Sequence, residues 1–466
     1  MSIRSDPFVL VLGLGESGLA MAQWCARQGA RVRVADSRLE PPGLAALKAS
    51  VPDAEIVLGS FDNALLEGAG RIALSPGIDA RVPVLAEARQ RGMPVVGEMT
   101  LFAEALDRLG ARASTRILAI TGTNGKTTTT ALTAALCRAA GLDAIAAGNI
   151  SPAALTVLME RLDRGESLPD CWVLELSSFQ LETAQGLDAD AATVLNVSDD
   201  HLDRHGDMVA YAAVKARIFA GHGVQVLNRQ DAHVMAMRES GRRMVSFGSD
   251  APAGQDDYGI VTDAAGAAWL ACGSALLLRV AELQIAGAHN AANALAALAL
   301  GRAIGLPFAA LLDGLKTFRG LPHRVEPIAE RGDGVVFYDD SKGTNVGATL
   351  AALEGLGRKV VLIAGGDGKG QDFSPLRAAV ASHARAVVLI GRDAAVIDAA
   401  LNGSGVPTEY AADMDVAVAR AADVAHGGDA VLLSPACASL DMFRNYAHRA
   451  EVFIAAVRRL PDVRAV

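Results

Sequence analysis

The stretch 116-RILAITGTNGKTTTTALTAALCRAAG-141 constrains this chain more than any other. Residues 116–120 read as a buried strand and residues 127–141 as a long helix. Between them, Gly122 and Gly125 let the backbone turn sharply and approach an anion closely. The N–H groups that open the helix then point at phosphate. A standard phosphate loop places four residues between its first glycine and the Gly-Lys pair. Here only Thr123 and Asn124 intervene. Lys126 is placed to reach a terminal phosphate and the Thr127 hydroxyl to hold Mg²⁺, so Gly122 through Thr128 are taken as nucleoside triphosphate contacts. A lone glycine turn would say little; strand, loop and helix in register are specific.

The same strand–turn–helix rhythm recurs. Residues 8–12 read as a strand, 13-GLGESG-18 as a turn on a helix that ends at Gly29, and 31–36 as a second strand. Further strands are expected at 71–74, 94–96, 171–176, 192–197 and 224–228, then at 334–340, 359–366, 386–391 and 430–435. Such apolar strands belong in parallel sheets covered on both faces. The 466 residues imply about three domains at ~150 residues each. Boundaries are expected in the charged stretch 106–115 and near 319-RGLPHR-324, giving domains 1–112, 113–320 and 321–466. The fold class is therefore α/β: a Rossmann-like first domain, a central ATPase-like parallel sheet and a Rossmann-like third domain.

Composition excludes several functions. Acids outnumber Lys and Arg, 52 to 43, a formal charge of −9 that argues against nucleic acid or an anionic membrane as partner. No apolar run reaches the ~20 residues a bilayer requires, and the apolar start 8-FVLVLGLG-15 is broken by glycine, so a cytoplasmic protein is expected. Five cysteines without ligand spacing read as small buried hydrophobes.

Several polar residues fall where parallel strands end, over a ligand crevice. Asp36 is followed by Ser37 and Arg38, a pair able to hold uracil, ribose or phosphate. Glu175 closes the strand 171–176 and is a candidate Mg²⁺ ligand, with Ser177, Ser178 and Gln180 as polar lining. In 196-NVSDDHLDRHGD-207 the carboxylates suit a hard cation, with His201 contacting Mg²⁺ or phosphate and His205 an ordinary surface histidine. On the residues alone, Lys215 in 211-YAAVKARIF-219 is a surface lysine lying along an apolar helix face. Asn290, His323, Arg324, Asp340, Ser341, Lys342, Thr344, Lys369 and Ser439 open helices or follow strands later in the chain, where lysines and hydroxyls fit a carboxylate-bearing substrate.

Taken together, GTNGKTTT, GNIS, ELSSFQLE, NVSDDHLDRH, AAVKARIF, HNAANALAAL, GLPHRVE, DDSKGTN, AGGDGKG and LSPACASLDMF, in this order, resemble the Mur ligase family over essentially the whole chain. The shortened phosphate loop is the form that family uses. The resemblance is to the member that adds D-glutamate to UDP-N-acetylmuramoyl-L-alanine, at the expense of ATP and through an acyl phosphate. It implies a first domain for the UDP group, a central one for ATP and Mg²⁺, and a third for the amino acid. By residue, it implies Lys126, Glu175, His201 and Lys215 as the catalytic set, with Thr127, Glu175, His201 and Lys215 serving two Mg²⁺ sites. The lysine at position 215 is carbamylated by CO₂ in the family. Asn290, His323, Arg324 and Asp340 would join the loop on ATP. Gly15, Glu16, Ser17, Ser37, Arg38, Gly77, Asn149 and Ser177 would contact the UDP-sugar. Lys342, Thr344, Lys369, Ser439, Leu440 and Tyr446 would surround D-glutamate. Two positions depart from the family: Tyr446 stands where phenylalanine is common, and Gly343 where alanine is sometimes seen. A monomeric enzyme acting on small-molecule substrates is the expectation.

Two other classes compete. GxGxxG at 13–18 suits an NAD(P) oxidoreductase, which leaves Lys126, Glu175 and Lys342 unexplained. A nucleotide-binding regulator without turnover has no use for the full catalytic set. Sister ligases for L-alanine, a diamino acid, D-alanyl-D-alanine or the glutamate of folates fit 339-DDSKGTN-345 less well.

Overall fold

The computed structural model describes residues 7–285 and 287–466 and is α/β throughout. The first sheet takes β1 (Phe8–Leu12), β2 (Val32–Asp36), β3 (Glu55–Leu58), β4 (Ala69–Leu74) and β5 (Val95–Val96) in the parallel order β3-β2-β1-β4-β5. The second takes β6 (Arg116–Thr121), β7 (Ala144–Gly148), β8 (Cys171–Glu175), β9 (Ala191–Val194), β10 (Val224–Asn228), β11 (Met244–Phe247), β12 (Tyr258–Thr262), β13 (Ala268–Cys272) and β14 (Ala275–Arg279). Their order is β14-β13-β12-β11-β10-β9-β6-β8-β7, parallel from β7 through β12. The third sheet holds β15 (Glu326–Arg331), β16 (Val336–Asp339), β17 (Val360–Gly365), β18 (Ala384–Ile390), β19 (Thr408–Tyr410), β20 (Ala430–Leu433) and β21 (Val463–Ala465), ordered β19-β18-β17-β20-β16-β15-β21. There β15 runs antiparallel to both β16 and β21, a departure from the all-parallel expectation.

Central strands are apolar because both faces are covered: all five residues of β8 and all six of β17 are buried. The chain packs as two compact units. One holds the residues up to Val261 together with Trp269–Leu278 and Ala294–Leu315; the other holds Thr262–Ala268, Arg279–Asn293 and Lys316–Val466. Within the first unit, one hydrophobic cluster runs from Val11 and Trp24 through Phe102 to Trp172 and Phe219. Phe102 meets Trp172 edge-on, with ring centroids 4.8 Å apart. The helix Glu98–Arg108 therefore sinks into a core shared by two sheets, and the charged stretch 106–115 begins at its exposed end. Among the described residues, no helix is long and apolar enough to cross a membrane. Cys25, Cys137, Cys171 and Cys437 are buried free thiols and Cys272 is half-buried.

Candidate active site

β8 and β9 flank β6, so the turns after these three strands lie side by side. The turn after β6 is the phosphate loop. Gly125 sits at φ +82°, a left-handed conformation that a side chain resists, and the helix Lys126–Ala139 follows. Lys126 Nζ donates to the carbonyls of Gly122 and Thr123, each at 2.9 Å, so the loop curls around its own lysine. From the turn after β9, Asn196 braces the loop: its carbonyl accepts from Thr123 N at 2.9 Å and its Oδ1 from Asn124 N at 2.8 Å. Its Nδ2 returns a bond to the Asn124 carbonyl at 3.1 Å. Sequence reading passed over Asn196 because it stands beside a run of acids.

Glu175 ends β8 and is 1% exposed. Its Oε1 accepts from Asn149 Nδ2 at 2.6 Å, while Oε2 is buried with no protein partner. A carboxylate oxygen left bare in the interior costs about 1–3 kcal/mol or more unless something takes it. A hard cation suits that oxygen, so the donor set fits Mg²⁺. His201 caps the short helix Leu202–His205 at φ 56°, a strained conformation for a residue with a side chain. Its imidazole is 40% exposed and lies 3.5 Å from Asp200.

Lys215 overturns the surface reading. It is 1% exposed on the helix Met208–Ala216, and its Nζ donates to the Gly122 carbonyl at 2.9 Å. Burial, reinforced by the nearby Lys126 charge, pushes the amine well below its ordinary pKa against the opposing pull of Asp200. Tyr211, one turn earlier, presents its ring 4.5 Å from the Lys215 amine, and its hydroxyl lies 3.3 Å from Thr123 Oγ1. His205 is no surface residue either, since its side chain is 3% exposed. Neither burial was visible in the sequence, because an amphipathic stretch does not say which polar residue its fold covers.

Around the first sheet, Gly15 caps the helix Glu16–Arg27 that follows β1 and that Glu16 and Ser17 open, while the turns after β2 and β4 carry Ser37 and Arg38, then Gly77. Gly18 is required by packing, since a Cβ there would lie 1.9 Å from the Gly13 carbonyl oxygen. The Asp36 carboxylate accepts from Leu14 N and Arg38 Nη2 at 2.7 Å each, and Arg38 holds it down at about 2. Glu16 Oε1 accepts from Ser151 Oγ at 2.7 Å and Ala153 N at 3.0 Å, which ties this turn to the one after β7. Ser177 caps the helix Ser178–Leu181 in a capping box with Gln180.

The second unit gathers its own set. Asn290 is buried and its Oδ1 accepts from Asn293 Nδ2 at 3.1 Å. His323 (φ 64°) bonds Asp339 Oδ2 through Nδ1 at 2.6 Å, and its carbonyl accepts from Lys342 N. Asp340 is buried and accepts from Ser434 Oγ at 2.7 Å. Burial raises its pKa to about 7, against the Ser434 bond and the Arg324 charge. Lys342 places its amine 3.8 Å from the centre of the Tyr446 ring, and Thr344 N bonds the Lys342 carbonyl. Lys369, exposed at φ 52°, and the buried Ser439 sit on turns joined by the Asp367–Ala438 bridge; Leu440 beside them is 72% exposed. Arg449 went unread. Wholly buried, it donates to Ser341 Oγ at 3.0 Å, to the Ser341 carbonyl at 2.8 Å and to the Cys437 carbonyl at 3.1 Å.

Three family models match in order: the Mur ligase MurD-like N-terminal domain over residues 7–97, the Mur ligase middle domain over 120–301 and the Mur ligase glutamate ligase domain over 323–437. The chain belongs to the Mur ligase family. A UDP-N-acetylmuramoylalanine--D-glutamate ligase of Aromatoleum aromaticum is 67% identical over all of both chains. One of Ralstonia nicotianae is 57% identical over 99% of each. Among solved structures, MurF from Acinetobacter baumannii aligns with a TM-score of 0.60 at 18% identity, covering 97% of this chain and 91% of that one. The UDP-N-acetylmuramate-alanine ligase of Thermotoga maritima aligns at 0.57 and 18%, covering 97% and 99%. These two distant Mur ligases speak for the fold. The glutamate-adding relatives carry the comparison of substrate.

Proposed function

We propose that this Mur ligase joins D-glutamate to UDP-N-acetylmuramoyl-L-alanine, using ATP and an acyl phosphate, in the assembly of peptidoglycan precursor. The observation that carries the reading is the braced Gly122–Thr127 loop beside Glu175, whose buried Oε2 has no protein partner. Full-length identity of 67% to a relative bearing that activity's name supports the substrate.

A carboxylate resists attack because its leaving group would be oxide. Attack of a carboxylate oxygen on the γ-phosphorus of ATP breaks the bond to ADP, which leaves, and gives an acyl phosphate. The D-glutamate amine then attacks the carbonyl carbon, phosphate departs with the C–O bond, and the nitrogen gives up a proton as the amide forms. The enzyme's task is to position anions and offset their charge. Lys126 and the loop N–H groups hold the β- and γ-phosphates. Thr127, Glu175, His201 and Lys215 are the residues to hold two Mg²⁺ ions, which when bound supply positive charge to the phosphate and carboxylate oxygens. The buried Lys215 amine, favoured as the neutral form, bonds the carbon of CO₂ and loses a proton, becoming a carbamate anion able to ligate metal. Asn290, His323, Arg324 and Asp340 contact ATP. Gly15, Glu16, Ser17, Ser37, Arg38, Gly77, Asn149 and Ser177 contact the UDP-sugar. Lys342, Thr344, Lys369, Ser439, Leu440 and Tyr446 receive D-glutamate. Functional domains divide near residues 112 and 320, and the enzyme works as a cytoplasmic monomer.

The test is phosphate release from ATP with Mg²⁺ and UDP-N-acetylmuramoyl-L-alanine across D-Glu, L-Glu, L-Ala, L-Lys and meso-diaminopimelate, with the product weighed by mass spectrometry. Release with D-Glu alone is expected. Release with L-Glu instead overturns the amino-acid assignment, and silence with all five overturns the substrate reading.

A further inference from the structure

His205 lies four residues past the candidate metal ligand His201 and has no part in the chemistry above, yet it is more deeply placed than that ligand. Its ring is stacked between Phe179, at 5.6 Å and 23° between planes, and Tyr211, at 5.1 Å and 30°. Its Nε2 lies 3.0 Å from Ser178 Oγ, and Nδ1 lies 3.7 Å from Glu182. That glutamate is held by Arg204, whose Nη2 reaches it at 2.6 Å and whose guanidinium lies 4.7 Å from the centre of the Phe179 ring. The ring thus has a polar edge on the turn that follows β8 and a flat face on the residue that touches both Lys215 and Thr123.

We propose that His205 is a positioning residue with two separable duties. Its Nε2 fixes Ser178, and with it the neighbouring Ser177 cap that faces the UDP-sugar. Its face fixes the Tyr211 ring, and with it the Lys215 amine and the phosphate loop. The second duty rests on the proposed carbamate, so the experiment must tell the two apart.

His205→Phe keeps a ring in the stack and gives up the bond to Ser178. His205→Gln keeps a polar group for Ser178 and gives up the stack. Both are assayed in the full-length enzyme for KM of each substrate and for kcat with and without added bicarbonate, and thermal melting reports how much protein is folded. For the Phe variant, the expected result is a KM for the UDP-sugar raised about 3- to 10-fold, with kcat and bicarbonate response as in the parent. For the Gln variant, it is a kcat lowered about 3- to 10-fold and restored by bicarbonate, with the UDP-sugar KM held. Activity lost only in proportion to folded protein in both variants, or identical changes in both, overturns the proposal. Magnetic resonance of the parent enzyme in isotopically labelled bicarbonate reads the carbamate directly. If the parent shows no carbamate, the lysine reading has failed, and the KM split alone then decides the role of His205.

Discussion

Asp340 is the residue whose charge state most depends on where the fold puts it. Its pKa rises from the ordinary 3.8 to about 7 because burial disfavours the carboxylate. The folded state therefore binds the proton more tightly than the unfolded chain. Its stabilising contribution is complete below pH 4, drains away as pH rises toward 7, and is gone above. Asp340→Asn has no such loss. Its melting temperature should match the parent near pH 4 and exceed it by a few degrees at pH 8, with the gap opening between those values. Glu175 holds Oε1 on Asn149 while its Oε2 is buried with no protein partner. Glu175→Gln keeps an oxygen for Asn149 and removes the negative charge. It should lower kcat by roughly 10²-fold or more and shift the Mg²⁺ requirement upward, read by phosphate release across a Mg²⁺ titration.

Among the elements, the helix Tyr446–Val457 ties down the candidate site of the second unit, because Arg449 reaches from it to two separate turns. Ser341 stands between Asp340 and Lys342, and Cys437 two residues before Ser439. Arg449→Met removes the donors but fills the space, leaving two buried carbonyls unpaired at about 1–3 kcal/mol each. The expected result is a lower melting temperature together with a D-glutamate KM raised more than that for ATP, measured by steady-state kinetics. No sequence signal marks this arginine, since a cation in a mixed helix looks like any solvated one. The strands that were legible, such as β1, β6, β8 and β17, are apolar runs closed by glycine or an acid. Those passed over are of another kind. β3 is four residues long with no fully buried position, and β15 carries a proline, which speaks against a strand. The strands β11 to β14 lie in 244–279, where alternation is short and turns are close, and no expectation was placed there. In the candidate site, the phosphate loop and Glu175 could be read because their chemistry is local. Lys215 was marked only by the family resemblance, and Tyr211, Asn196 and His205 were not marked as site residues, because their meaning lies in neighbours distant in the chain.

At the scale of the whole molecule, the phosphate loop belongs to the first unit, and a ligand held there stabilises that unit by mass action. At a free concentration 100 times its Kd, the gain is about 2.7 kcal/mol. Scanning calorimetry with Mg²⁺ and a non-hydrolysable ATP analogue should raise the transition that carries this unit, and Lys126→Ala should abolish the rise. That unit shares one hydrophobic cluster beneath its two sheets, with Phe102 on Trp172.

The bonds from Lys126 to the Gly122 and Thr123 carbonyls carry a kinetic consequence. A loop already wound around its own ammonium group has spent its conformational entropy before any nucleotide arrives. Capture of a phosphate by Lys126 would then exchange internal carbonyl partners for phosphate oxygens without a folding step. On departure of such a phosphate, the same carbonyls would take the lysine back.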